Sequence, residues 1–367
     1  MQKYPLTKVL LRAAYIFSQG LLSVMQFFYC FRPINKIKIY YAGARSGDIG
    51  GPLVKVRRLG KYYPQVKFGF NVVYSLSNAP YLPPMSFAVF RKLGIPVVHN
   101  QNGVFYKSWF GGDWLAENRR MAVAYHAADC VFYQSEFCQK SAEKYLGSRS
   151  GEGKILYNAV DLEHFSPKAM EGGRGRRIIF LVTGKIDTHL YYRIETAITA
   201  LAQAYTAGLD CELIVSGWVS SEALKRAYAL LEVLNIGDKV RFTGPYTQAE
   251  APDIYRRANV LIMTKHLDPC PNTVIEAMAC GLPIIYSESG GVPELVGGVA
   301  GLGLRVDEDW DEIQVPSVES VVEAMFNIAK DIHPLGEASR ERAENLFDLK
   351  NWIKEHSLVF KRLLQSK

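Results

Sequence analysis

The sequence predicts an α/β protein of two doubly wound parallel-sheet domains facing a cleft. Three observations lead there. A length of 367 residues exceeds one ordinary domain and suits two. From Ile37 onward, short β-rich runs alternate with helical patterns, the order that gives parallel strands with covering helices. Residues 165–177, with SPKAMEGGRGRR at their heart, carry Pro, Gly and charge but little to bury, and read as an interdomain linker.

The elements follow in order. In the first half the candidate strands are 37–41, 70–76, 96–99, 130–133 and 155–157; in the second they are 178–182, 211–215, 240–242, 260–263 and 283–286. Ahead of them lies AAYIFSQGLLSVMQFFYCF (13–31), which has no charged residue and approaches the length of a membrane span. No small-residue cleavage site follows it, so it is not read as a signal peptide. Lys3, Lys8 and Arg12 precede it and Arg32, Lys36 and Lys38 follow, giving no orientation bias. Three readings stay open: a helix lying in or on a membrane, a helix packed on the first domain, and a true span. The domains expected are thus 1–36 as a hydrophobic helix, 37–165, 178–345, and a last helix within 346–367.

Hydrophobic content of 49% and charged content of 22% place the chain among globular proteins. A formal charge of +7 favours anionic partners such as nucleotide diphosphates or lipid headgroups. Arg174, Arg176 and Arg177 lack interleaved aromatics, so nucleic acid is not an expected partner. The six cysteines are scattered without metal-ligand spacing and read as buried, reduced thiols of a cytoplasmic protein. Asp307-Glu308-Asp309 spells D-x-D, but inside the acidic run DEDWDE it reads as a solvated loop, and no metal is expected. P-loop and nucleophile-elbow patterns are absent.

The densest signal is DPCPNTVIEAMACGLPIIYSESGGVPE, from Asp268 to Glu294. Two carboxylates, Asp268 and Glu276, flank a Pro-rich turn into a helix opening at Asn272-Thr273. A short buried strand and the turn Gly290-Gly291 follow. Helix N-termini present unpaired N–H groups that suit phosphate, and carboxylates accept hydrogen bonds from vicinal hydroxyls. One such unit could hold the diphosphate, ribose and sugar of a nucleotide-sugar.

The stretch resembles the donor site of the family-4 retaining glycosyltransferases, whose signature is E-x7-E, then A-x-A-x-G-x-P, then G-G-x-x-E. Glu276, Ala277, Ala279, Gly281, Pro283, Gly290, Gly291 and Glu294 match; Asp268 stands where the family has its first Glu. The resemblance implies the GT-B fold: two Rossmann-like domains, with the last helix (349–364) crossing back to the first. It implies a metal-independent hexosyltransferase that needs no cofactor, the nucleotide-sugar being a substrate. By resemblance Glu276 takes the ribose hydroxyls and Asp268 those of the transferred sugar. Lys185 replaces the Arg of the family's G-R segment as a phosphate cation and catalytic candidate. The family's following Lys falls near Leu190, so Arg193 and Lys265 compete to replace it, against plain surface roles for both. Glu294 is either part of the site or a helix-start acid. Gly217, Pro245 and Tyr246 end strands where the family approaches the base.

In the first half, Gly50-Gly51 resembles the glycine loop beneath the donor phosphates. His99 is expected near the transferred sugar, with a structural strand-end histidine as the alternative and Asn102-Gly103 as a competing alignment. Phe105, Tyr106 and Trp109, crowded with Phe110 and Trp114, form the acceptor candidate; Arg119 could add an acceptor phosphate contact or belong to a basic helix face. The expected activity is retaining transfer to a hydroxyl of a glycan or lipid-linked acceptor, in the cytoplasm and with a peripheral contact to the inner face of a membrane. A nucleotide-sugar epimerase and a non-catalytic nucleotide-sugar-binding protein are the alternatives.

Overall fold

A computed structural model describes residues 6–29, 36–44, 47, 51–78, 82–167 and 177–366. The chain forms two compact units. Unit 1 comprises Met1–Tyr157, Trp310–Glu312 and Lys350–Lys367; unit 2 comprises Asn158–Asp309 and Ile313–Leu349. Most of the expected linker, with Arg174 and Arg176, lies outside the described residues.

Unit 1 runs α1 (Leu6–Met25), β1 (Ile39–Tyr40), α2 (Gly51–Gly60), β2 (Val72–Leu76), α3 (Pro84–Lys92), β3 (Val97–Gln101), α4 (Trp114–Ala127), β4 (Cys130–Tyr133), α5 (Glu136–Leu146) and β5 (Glu152–Ile155). The five strands are parallel, in the order β1-β2-β3-β4-β5. Local chemistry starts the helices: Asp113 accepts from the Ala116 N–H before α4, and Ser135 from the Cys138 N–H before α5. The strand expected at 155–157 lies earlier, because β5 is a half-exposed edge strand of polar sequence. Its charges are held by the final helix of the chain, through Glu152–Arg362 and Lys154–Glu355 ion pairs.

Unit 2 runs β6 (Ile178–Thr183), α6 (Tyr192–Thr206), β7 (Cys211–Ser216), α7 (Ser221–Leu234), β8 (Val240–Gly244), α8 (Ala251–Arg256), β9 (Val260–Met263), α9 (Asn272–Ala279), β10 (Ile284–Ser287), α10 (Val292–Val296), β11 (Gly301–Leu304), α11 (Val318–Lys330) and α12 (Ile332–Leu346). Its parallel strands stand in the order β11-β10-β9-β6-β7-β8. Successive strands add outward from β6 on one side, and then the chain returns to place β9 on the other. Ligands of such sheets bind outside the carboxyl ends of the strands where the order reverses, here β6 and β9. Sequence patterning missed β11, whose GLGL run carries two apolar side chains and pairs with β10 alone at the sheet edge. The core beneath joins Phe180 and Val182 of β6 with Ile194 and Leu201 of α6, Leu213 of β7 and Ile262 of β9.

The last helix, α13 (Leu349–Gln365), belongs to unit 1 from Lys350 onward. It buries Trp352, Ile353, His356, Val359 and Phe360 there. His356 Nε2 meets the Tyr74 hydroxyl of β2 at 3.0 Å, and the imidazole packs 4.5 Å from the Phe132 ring. This is the crossing-back helix that the sequence resemblance implies.

Candidate active site

In unit 2, β6, β7 and β8 end together. The Gly184 N–H donates to Ser216 O (3.2 Å) and the Gly217 N–H to Gly244 O (2.8 Å). Gly217 has φ +102, and a Cβ there would fall 2.2 Å from Gly184 O, so only glycine lets the two strand ends approach. Lys185 follows, exposed, with Nζ 5.1 Å from the centre of the Trp218 ring. Pro245 is exposed, while the Tyr246 hydroxyl meets Thr183 Oγ1 at 2.8 Å.

Arg193 does not take the plain surface role left open for it. It sits in the first turn of α6 with 3% of its surface exposed. Its Nη2 donates to Thr183 O (3.1 Å), Met263 Sδ lies 3.6 Å away, and Nε has no partner. Among the described residues no carboxylate reaches it at ion-pair distance. Burial pulls its pKa down from the usual arginine value, with Tyr192 and the Asp268 charge opposing. A desolvated guanidinium at the ends of β6 and β9 is therefore short of negative charge.

The carboxylates occupy the β9–α9 connection. Asp268 Oδ2 pairs with Lys265 Nζ (2.7 Å), and Oδ1 accepts from the Cys270 N–H (3.2 Å). Lys265 is thus engaged by the acid rather than a simple exposed loop lysine. The preceding Leu267 is buried at φ +48, a left-handed conformation costly for a side chain of its size. The turn after β10 holds that backbone in place. Gly290 has φ +69, and a Cβ there would fall 2.5 Å from Asp268 O; the Gly291 N–H donates to the same carbonyl at 2.9 Å. Gly291 is therefore committed to shaping the Asp268 loop. Asn272 and Thr273 begin α9, where N–H groups have no acceptor within the helix, and Gly184 stands beside Thr273.

Glu276 is buried in α9. It accepts from the Tyr255 hydroxyl (2.9 Å) and from Gln248 Nε2 (3.2 Å). Burial and the facing carboxylate push the Tyr255 phenol well above its ordinary pKa, so it remains a donor. This clamp fixes the Glu276 carboxylate in place. Neither Tyr255 nor Gln248 carried a sequence signal. Glu294 is half-buried in α10, and its backbone carbonyl accepts from Arg342 Nη2 (2.7 Å). His266, fully engaged through Asp309 O (2.7 Å) and the Gln314 N–H (3.4 Å), anchors the start of the Asp268 loop.

Unit 1 places its expected residues less favourably. Gly50 lies outside the described residues, and Gly51 opens α2. His99, expected near a sugar, is fully buried in β3. Nδ1 is 2.8 Å from Ser75 Oγ and Nε2 3.0 Å from Gln101 Oε1, and burial lowers its pKa to about 4. Both ring nitrogens are spent inside the fold, which is the structural-histidine alternative. The competing Asn102 is only half-buried, and its Oδ1 accepts from Lys55 Nζ (3.2 Å) and Gln134 Nε2 (2.5 Å). The aromatic group divides. Tyr106 packs within unit 1 against Trp310 (5.0 Å) and Tyr145 (6.2 Å), whereas Phe105 is half-buried against Phe110 and Trp109 is exposed. Arg119 is exposed on α4, where the neighbouring Arg120 pairs with Glu117.

Residues 169–314 match the family described as "Glycosyl transferases group 1". A D-inositol 3-phosphate glycosyltransferase of Gordonia bronchialis is 31% identical over 123 residues, 32% of this chain and 27% of that protein. The chain spans about half the length, or less, of the curated relatives it matches. Among solved structures, a sucrose-phosphate synthase of Thermosynechococcus elongatus aligns with TM-score 0.64 at 21% identity, over 82% of this chain and 75% of that one. Anabaena HepE in complex with UDP-glucose aligns with TM-score 0.63 at 16% identity, over 86% and 83%. These likenesses and the two parallel-sheet units establish the fold as GT-B, and residues 169–314 as a Glycosyl transferases group 1 domain.

Proposed function

We propose that the chain is a metal-independent retaining glycosyltransferase of family 4 that moves a hexose from a nucleoside diphosphate to an acceptor hydroxyl. The observation that carries the reading is the buried, under-neutralised Arg193 at the ends of β6 and β9, with Asp268 and Glu276 on the next connection. A diphosphate supplies the negative charge that this cation lacks. Lys185 and the first-turn amides of Asn272 and Thr273 add donors, and Lys265 does so from its pair with Asp268. Glu276 takes the ribose hydroxyls and Asp268 the sugar hydroxyls, while Gly217, Pro245 and Tyr246 border the base. As the acceptor oxygen bonds to C1 on the face from which the leaving group departs, the C1–O bond to phosphate breaks and both its bonding electrons leave with the diphosphate. Fixed cations and N–H groups stabilise that charge, and the leaving oxygen takes the acceptor proton.

HepE is described in complex with UDP-glucose, which makes uridine diphosphate sugars the first donors to test. The acceptor is a glycan or lipid-linked hydroxyl. On unit 1, Trp109 and Phe105 offer aromatic surface for it. The protein works in the cytoplasm against the inner face of a membrane. An epimerase would need an acid/base pair on the sugar, and both nitrogens of His99 are already spent. Incubation with UDP-glucose and candidate acceptors, followed by NMR of the product anomer, tests the proposal. A product that keeps the donor's anomeric configuration supports it; inversion, or epimerised donor without transfer, overturns it.

A further inference from the structure

Helix α1 is built with its polarity reversed. A helix on a soluble unit turns its apolar stripe inward and its polar face to water. Here Gln19 and Ser23 are buried, as is Gln26 in the 3-10 turn (Gln26–Phe28) that continues the helix. Gln26 Nε2 donates to Phe70 O (2.8 Å), and its Oε1 accepts from the Gly69 N–H (2.9 Å). The Tyr15 hydroxyl donates to Gly43 O (2.9 Å), the Tyr40 hydroxyl donates to Gln19 Oε1, and Arg12 lies 3.6 Å from Glu117 of α4. The opposite stripe, Leu10, Phe17, Leu21 and Val24, recurs at helical spacing and points away from the unit, and Phe28 of the following turn continues it, with Phe17 76% and Phe28 82% exposed. Exposed Met85 of α3 lies beside Gly20, and the Tyr29–Phe68 ring pair (5.1 Å) continues the apolar surface past the helix end.

Cations rim this surface. Arg91 and Lys92 are exposed in the last turn of α3, with Lys92 Nζ 5.9 Å from the Phe27 ring centre, and exposed Lys67 adjoins Phe68. An apolar stripe flanked by lysine and arginine matches the acyl–headgroup boundary of an anionic bilayer. We propose that this outward face of α1, with the collar at Lys92, Arg91 and Lys67, docks the chain on bilayers containing anionic phospholipids. The helix lies in the plane of the interface, because its polar side is bonded to unit 1 from Arg12 through Gln26 in the turn that follows. The inference rests on the membrane placement proposed above and not on sugar transfer.

The test uses the full chain in co-sedimentation with vesicles of phosphatidylcholine alone and of phosphatidylcholine mixed with phosphatidylglycerol. The chain should pellet with the anionic vesicles, less so as salt rises. Phe17→Ser with Leu21→Ser and Phe28→Ser should lower partitioning at least about tenfold, since each side chain leaves the acyl layer. The variant's thermal melt should stay unchanged, because the substituted side chains face outward. Arg91→Glu with Lys92→Glu should abolish the preference for anionic vesicles. The idea is overturned if the triple variant pellets like the wild type, if the wild type binds neither vesicle, or if the triple variant only splits a dimer in ultracentrifugation. Vesicle binding that responds as described in a chain without transferase activity supports this inference and removes the transferase reading alone.

Discussion

Replacing Arg193 with methionine separates a binding role from a structural one, because the two roles move stability in opposite directions. In the resting protein the guanidinium is buried, with a single carbonyl bond, a sulfur contact and an orphaned Nε. Desolvating such a charge costs several kcal/mol, and one charge-assisted hydrogen bond returns about 1.5–3 kcal/mol. Methionine fills similar volume without the charge; the Thr183 carbonyl left behind gives up about 1 kcal/mol. Arg193→Met should therefore leave the ligand-free protein unchanged or stabilise it by up to about 3 kcal/mol, read from urea unfolding. With donor present the sign reverses. At a donor concentration about a hundred times its dissociation constant the wild type gains about 2.7 kcal/mol, and the variant should lose most of that gain. Turnover should fall by about 10²–10³-fold, the cost of removing one preorganised donor from a developing anion. A variant that is destabilised by several kcal/mol yet keeps the full donor-induced shift would refute this reasoning and leave Arg193 as a core residue.

Three further outcomes follow from other contacts. Tyr255→Phe removes a clamp on Glu276, so KM for the donor should rise about tenfold with kcat little changed; an unaltered KM places ribose recognition elsewhere. Gly290→Ala puts a Cβ 2.5 Å from Asp268 O at φ +69, and should lower unfolding free energy by more than about 1 kcal/mol; an unchanged urea midpoint contradicts the packing of that turn. Burial lowers the pKa of His99 to about 4 and of His356 to about 3, below the 6.5 of a free imidazole. The unfolded chain then binds protons first, so their stabilisation is complete above pH 6.5 and is lost as pH falls toward 4 and then 3, at about 3 kcal/mol for His99. Equal urea midpoints at pH 7 and pH 4.5 would show that these rings are not buried and neutral.

The layout of the Asp268 loop was legible because its parts are close in sequence. Asp268, Glu276 and Gly290 belong to one strand–turn–helix–strand run, and spacing fixes their relative places. The clamp on Glu276 was not legible, since Tyr255 and Gln248 come from an earlier connection and meet it only in the fold. The burial of Arg193 was legible only through its helix face, which it shares with Ala197 and Leu201, both buried. His99 misled for a different reason. β3 is an interior strand of a parallel sheet covered on both faces, and all five of its residues are buried, so a polar residue there belongs to the core. Edge strands β5 and β11 lack the apolar run that marks a buried strand. For α1, hydropathy marks an apolar segment but not its orientation, which is set by Gln19 and the following Gln26 finding partners inside the fold.

The most direct measurement is calorimetric titration of UDP-, GDP- and ADP-sugars into the wild type and Glu276→Gln. The account predicts one donor site per chain in the wild type for at least one of these nucleotides, and affinity at least about tenfold weaker in the variant, the loss expected for a charge-assisted hydrogen bond. Equal affinity in both proteins, or no heat from any nucleotide-sugar, would contradict it.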